Sequence, residues 1–196
     1  MPGSGNRLAS WEGTEAVTDG GPGGVSPDEF CLVDGTAGVV REIQPDDVER
    51  LRRLFYRLSA ETVYWRFFTP VQDPSAEVLE HLAHVDHQLR EAIVAQIDEE
   101  VVGVARYDRA EGTDEADTAI LVEDAWQGRG LGKVLLRRLA EVAARRGIRT
   151  FTALILGENL RARHLYSTVF DDVDTRQDGP EWHLRISLDG PRAGCR

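Results

Sequence analysis

The sequence predicts a mixed α/β domain, one sheet with helices on both faces. Three observations predict it. Apolar segments of strand length lie at 91–97, 101–107 and 116–122, separated by short polar connections. Beyond them, strand-like and helix-like segments alternate, as strand–helix–strand crossovers require. A glycine-rich turn, Gln127-Gly128-Arg129-Gly130-Leu131-Gly132, joins the third apolar segment to a long amphipathic one.

Taken in order, residues 1–37 read as a disordered, glycine-rich acidic tail. Their few apolar residues show no period, too little to offset chain entropy. A short helix near Pro27–Leu32 is the only element expected there. The folded domain is expected over 38–190, with a short polar tail at 191–196. Val39–Ile43 reads as a strand. Pro45-Asp46-Asp47 opens a helix, because proline fits a first turn and acids complement the positive dipole end. Val48, Leu51, Leu54, Phe55 and Leu58 continue it at helical spacing. Ser59 starts a second helical segment that closes before Pro70, and Asp73-Pro74-Ser75 starts a third. Two strands, 91–97 and 101–107, follow as a hairpin across Asp98-Glu99-Glu100. A third covers Ala116–Val122. The long helix after the glycine turn carries Leu131, Val134, Leu135, Leu139, Val142 and Ala143 and stops at Gly147. Thr150–Leu156 is a buried-type strand, Asn159–Phe170 a short helix, and 182–188 a last strand. One more strand is expected near Asp172–Arg176.

Composition narrows the function classes. The formal net charge is −11 over 196 residues, and the tail supplies six acids against one base. Such an excess repels phosphate backbones, so nucleic acid is not an expected partner. Only Cys31 and Cys195 are present, which excludes a disulfide framework or a cysteine zinc module. No run of about 18 apolar residues occurs, so no membrane span is expected. The first residues carry no basic stretch followed by an apolar run, which points to the cytoplasm. His81, His84 and His87 are spaced by threes, but no cysteine joins them and they read as surface histidines; no metal is expected.

The turn at 127–132 is the most informative motif. Between a strand and a helix, the first helical amides have no partner inside the helix and share the positive dipole end. Glycines let a ligand approach the main chain. The arrangement suits an anion, best a pyrophosphate. It is not a dinucleotide fingerprint, since Lys133 stands where a third glycine is needed. It is not a Walker loop, since Val134 follows Gly132-Lys133 where a hydroxyl is needed.

Gln127-x-x-Gly130-x-Gly132, with the strand before and the helix after it, resembles the signature of the GNAT superfamily of N-acetyltransferases. Asn159-x-x-Ala162-x-x-x-Tyr166 is similar to a later segment of that family. The stretch Leu58-Ser59-x-Glu61-Thr62-x-Tyr64-x-Arg66-Phe67-Phe68, with Asp86 downstream, resembles the acetyltransferase domain of bacterial protein lysine acetyltransferases. The resemblance covers about residues 39–189. It implies a mostly antiparallel sheet whose one parallel pair sits centrally, at Ala116–Val122 and Thr150–Leu156. It also implies acetyl-CoA in a V-shaped opening between those two strands. Pantetheine would lie on the main chain of Ile120, Leu121 and Val122, and an amide near Leu121 or Val122 would hold the oxyanion. The pyrophosphate would lie on the amides of Gln127, Gly128, Arg129, Gly130, Leu131, Gly132 and Lys133, with Arg129 and Lys133 adding charge and Asn159 holding the pantetheine arm.

Acetyl transfer to an amine needs a proton acceptor for the amine, donors for the oxyanion and an acid for the leaving thiolate. Asp117 falls where the family carries a glutamate base; it is one methylene shorter and can work through water. Glu115, two residues earlier on the same strand face, is the second choice. Tyr166 falls at the family's acid, on one helix face with Asn159 and Ala162. The family's Gly-Phe after this helix is replaced by Val169-Phe170. Trp65, Phe67 and Phe68 read as core; in the family their region walls the acceptor entrance. The expected acceptor is a protein lysine, which acidic charge around the mouth would suit. A small amine such as a polyamine or aminoglycoside-like compound is the alternative acceptor, and a non-catalytic acyl-CoA sensor the alternative class. A homodimer is compatible with all of these.

Overall fold

The computed structural model describes residues 28–71 and 73–188; residues 1–27 and the expected polar tail lie outside the described residues. Eight strands form one sheet: β1 (Asp28–Cys31), β2 (Ala37–Glu42), β3 (Arg90–Ile97), β4 (Glu100–Arg109), β5 (Glu115–Val122), β6 (Thr150–Leu156), β7 (Val173–Asp178) and β8 (Glu181–Ser187). Their spatial order is β1-β2-β3-β4-β5-β6-β8-β7. Every neighbouring pair is antiparallel except β5 and β6. Among the described residues there are also five α-helices: α1 (Val48–Tyr56), α2 (Ala60–Phe67), α3 (Ala76–Ala83), α4 (Leu131–Arg145) and α5 (Leu160–Val169).

Period-2 alternation divides the core. Along β3, Ile93, Ala95 and Ile97 join the cluster under α4 and α5, while Ala92 and Val94 join the cluster under α1 and α3. Leu135, Leu136 and Leu139 of α4 are fully buried on the first face; Leu54 and Leu79 close the second. The β3–β4 hairpin has a two-residue loop, Asp98 and Glu99, both at positive φ (48° and 67°), a turn whose twist matches the strands. Helix α4 ends at Gly147, φ 76°, with Ile148 N–H donating to Ala143 and Gly147 N–H to Ala144, both 3.0 Å. These are the paired bonds of a Schellman cap.

Two expectations need correction. The segment near Pro27–Leu32 is not helical: Asp28–Cys31 pairs with β2 as an edge strand, and Leu32 is buried. The sheet therefore begins at Asp28 rather than near Gly38. An edge strand needs a ladder on one side only, so it forms with little apolar content of its own. The helix expected from Pro45 begins as a 3-10 turn, Pro45–Asp47, and becomes α-helical at Val48. Asp47 is fully buried there, accepting from both terminal nitrogens of Arg41 at 2.7 Å and from Gln44 N–H at 2.8 Å. Among the described residues no helix is long and apolar enough to cross a membrane.

Candidate active site

The fork between β5 and β6 creates the site. Pairing of these parallel strands covers only Glu115–Thr150, Ala116–Phe151 and Asp117–Thr152. Both strands continue beyond it unpaired with each other. On its other side β5 stays in register with β4 as far as Val122–Gly103. A cleft of about 950 Å³ fills the fork and runs to the N-terminus of α4.

Main-chain polarity in the fork follows from one bond. Glu123 N–H donates to Val102 C=O at 2.9 Å. Glu123 lies opposite Val102 in the β4–β5 register, so this is a hydrogen-bonded pair and alternate residues repeat it. Leu121 and Ala119 therefore turn their amides to β4. Ile120 and Val122 turn theirs to the fork. This corrects the expectation that Leu121 offers main-chain groups to a ligand or an oxyanion. The carbonyl of Val122 is already taken, by Gln127 Nε2 at 3.0 Å.

Gln127 ties the cleft together. Its Nε2 also reaches Thr62 Oγ1 at 3.1 Å, and its Oε1 accepts from Arg161 at 3.2 Å. Thr62 and Ser59, at the start of α2, donate their hydroxyls to Asp124 at 2.8 and 2.7 Å. One carboxylate thus fastens α2 to the loop after β5. The turn itself needs its glycines for different reasons. Gly128 and Gly130 have φ of 74° and 97°, left-handed values, and a Cβ built on either meets no atom within 4 Å. They leave an open cradle in front of the first amides of α4. Gly132 lies against α5 instead: a Cβ there would sit 2.9 Å from Leu165 Cδ2. Leu131, expected among the binding residues, is wholly buried and does not line the cleft.

The other expected binding residues distribute as follows. Lys133 lines the cleft. So does Arg129, which lies over the Trp126 ring and pairs with Asp34 at 3.1 Å. Asn159 lines the cleft too, while its side chain accepts from Ala162 N–H at 3.0 Å and caps α5. Of the proposed catalytic groups, Asp117 and Tyr166 both line the cleft and Glu115 does not. Glu115 sits in the paired part of the strands and is bonded to Arg185. Asp117, the last paired residue, is exposed into the fork and accepts from Thr152 Oγ1 at 3.3 Å. Tyr166 is 2% exposed, and its ring stacks on Phe170 with centroids 6.4 Å apart. Burial raises its pKa well above the ordinary tyrosine range, against a hydrogen bond with Thr118 that lowers it. The hydroxyl therefore keeps its proton at neutral pH.

Several lining residues escaped sequence reasoning. Arg161 and His164 reach the cleft from α5 and Arg66 from α2; Trp65 and Phe68, expected as core, are half-buried and line the cleft as well. The carboxylates among the described lining residues are Asp117 and Asp124; the fixed cations are Arg66, Arg129, Lys133 and Arg161. The cleft is basic although the chain is strongly acidic, which suits a polyphosphate ligand. Arg66 stacks its guanidinium 5.1 Å from the Phe67 ring. Burial, and then the charge of Arg106, lower its pKa to about 10.

Comparison with known proteins places this geometry. The profile of the acetyltransferase (GNAT) family matches residues 57–170. An acetyltransferase of Pseudomonas aeruginosa is 33% identical over 138 residues, covering 68% of this chain and 74% of that one. Acetyltransferase Pat of Mycolicibacterium smegmatis is 33% identical over 133 residues, 64% of this chain but only 38% of its own length. The crystal structure of the GNAT domain of S. lividans PAT superposes with a TM-score of 0.78 at 33% identity, covering 82% of this chain and 96% of that domain.

Proposed function

The chain belongs to the acetyltransferase (GNAT) family, and from that premise we propose that it moves the acetyl group of acetyl-CoA to a primary amine, a lysine side chain of a protein, by direct attack in a ternary complex. The observation that carries this reading is the β5–β6 fork opening onto the glycine cradle of α4. The fit is chemical as well as geometric. A diphosphate finds the N-terminus of α4, left-handed glycines with free space in front of them, and the cations Lys133 and Arg161 nearby, although the Lys133 N–H itself donates to Gly130 C=O at 3.0 Å. An amide-rich arm finds the outward main chain of Ile120 and the N–H of Val122, as an added strand would.

The residues then divide the chemistry. Asp117 accepts the proton that the incoming ammonium must lose before its nitrogen can attack, directly or through one water. The N–C bond forms as the thioester C–S bond breaks. The fork-facing N–H groups of β5 supply donors where the carbonyl oxygen gains charge. Tyr166 returns a proton to the departing thiolate; a hydroxyl held protonated by burial is suited to that role. The resemblance of the stretch 58–68 to the acetyltransferase domain of protein lysine acetyltransferases favours a protein acceptor.

The test has two stages. Calorimetric titration of the chain with acetyl-CoA should give saturable binding; its absence overturns the whole reading. Mass spectrometry of candidate proteins mixed with enzyme and acetyl-CoA should then find acetyl-lysine. Acetylation of spermidine or an aminoglycoside under the same conditions, with no acetyl-lysine formed, would replace the protein acceptor by a small amine.

A further inference from the structure

A second cavity adjoins the cleft. It holds about 220 Å³ and lies between the sheet, α1, α2 and α3. Three residues, Arg66, Ala119 and Leu121, line both spaces, so the two adjoin at these side chains. Strand alternation explains where they meet. Asp117, Ala119 and Leu121 share one face of β5, opposite Asp108, Arg106 and Val104 of β4. The cavity thus opens on the same strand face as Asp117, two residues further along. Ala119 is the smallest side chain at this neck. Beyond it the walls are mostly Leu, Ile, Val and Phe side chains, with Leu54 and Leu79 fully buried at the back. The arginines at the neck can lay their methylene stems along such a wall.

We propose that this cavity is an acyl-chain pocket, and that the enzyme takes neutral acyl-CoA donors longer than acetyl. The proposal rests on the reading of the fork as the CoA site. A chain attached at the thioester carbon passes Ala119 and Leu121 and enters apolar space. An apolar cavity of roughly 150 Å³ accepts benzene, so 220 Å³ accepts an acyl group of about six carbons. Among the polar residues of the lining, Arg66 and Arg106 repel a protonated amine and Asp73 already accepts from Tyr56 OH at 2.9 Å, which favours a neutral acyl chain as occupant.

The test is calorimetric titration of the full chain with acetyl-, butyryl-, hexanoyl- and succinyl-CoA. Burial of each added methylene tightens binding about fourfold at the upper limit. Kd should therefore fall stepwise from acetyl to butyryl to hexanoyl, and succinyl-CoA should bind no better than butyryl-CoA. Val78 and Leu82 line the far wall, and Val78 is 41% exposed, so a larger side chain there spares the fold. Val78→Phe and Leu82→Phe should cancel the gain while leaving the acetyl-CoA Kd within about twofold. Equal or weaker binding of the longer thioesters, tighter binding of succinyl-CoA, or a gain that persists in both variants overturns the acyl pocket and leaves the acetyl-CoA site standing. Failure of acetyl-CoA itself to bind overturns the CoA site and the pocket with it.

Discussion

Replacing Tyr166 by Phe removes one hydroxyl and little else. The ring keeps its burial and its stack on Phe170. What is lost structurally is no more than the hydroxyl's interaction with Thr118, at most about 0.5–1.5 kcal/mol. For a domain of this size that lowers Tm by a few degrees, about 2–4 °C for each kcal/mol. What is lost chemically is the acid, and positioned proton donors contribute roughly 10²–10⁴-fold. The rate at saturating substrates should fall by that factor while acetyl-CoA affinity is unchanged. Thiol release, followed spectrophotometrically, measures the rate, and calorimetry the affinity. The pH profile sharpens the test. Because burial raises the Tyr166 pKa above its usual value near 10, the hydroxyl is protonated across the working range. Tyr166→Phe should lower the whole profile without moving its inflections below about pH 10. A rate within threefold of the parent refutes the assignment. So does a falling limb below pH 9 that is present in the parent and absent from the variant.

Other changes probe other links. Asp117→Asn should cost at least about 10²-fold in rate with acetyl-CoA affinity kept; parallel loss of both would make Asp117 a binding residue instead. Gly130→Ala forces φ 97° on a residue with a Cβ, at about 1–2 kcal/mol, and should weaken acetyl-CoA binding measured by calorimetry together with Tm. Asp47→Asn breaks the ion pair between the fully buried Asp47 and the partly buried Arg41 and should cost up to about 3 kcal/mol in urea unfolding at pH 7. Burial works to raise the Asp47 pKa, but the bonds from Arg41 and Gln44 outweigh it and hold the pKa low. The folded-state value thus lies below the unfolded one. The stabilisation is present above about pH 4 and is lost as pH falls through the folded value, so parent and variant should converge in acid.

The helices and the central strands were legible because their signals are local. Helix α4 shows its apolar stripe, and a glycine past its end; β3 shows an unbroken apolar run because both of its faces are covered. β1 was missed because its stability is not local. Asp28-Glu29-Phe30-Cys31 has no strand pattern of its own and is ordered by the ladder with β2 and by Leu32 reaching the core. The basic lining of the cleft was hidden for a similar reason. Arg66 and Arg161 lie on different helices, each reading as an ordinary helical base, and only the packing of α2 and α5 on opposite sides of the fork brings them to one space.

The contrast between Glu115 and Asp117 shows what sequence spacing alone lacks. Both are carboxylates on one face of one strand, two residues apart, and spacing treats them alike. The difference is where β5 parts from β6. Glu115 lies where the strands are still paired, within reach of Arg185, and its charge is spent on that neighbour. Asp117 holds the last paired position, so its side chain is the first to meet open space. The same fork decides which amides are free. Beyond Asp117, β5 loses its partner on one side only, and alternation then exposes Ile120 and Val122 but not Leu121. Gln127 claims one of the exposed groups, the Val122 carbonyl, and so fixes the cradle to the strand that feeds it. A glutamine in the signature position is thus a structural brace between the amide row and the anion site. Shortening it to Ala should loosen both together, which neither the glycines nor the carboxylates could reveal.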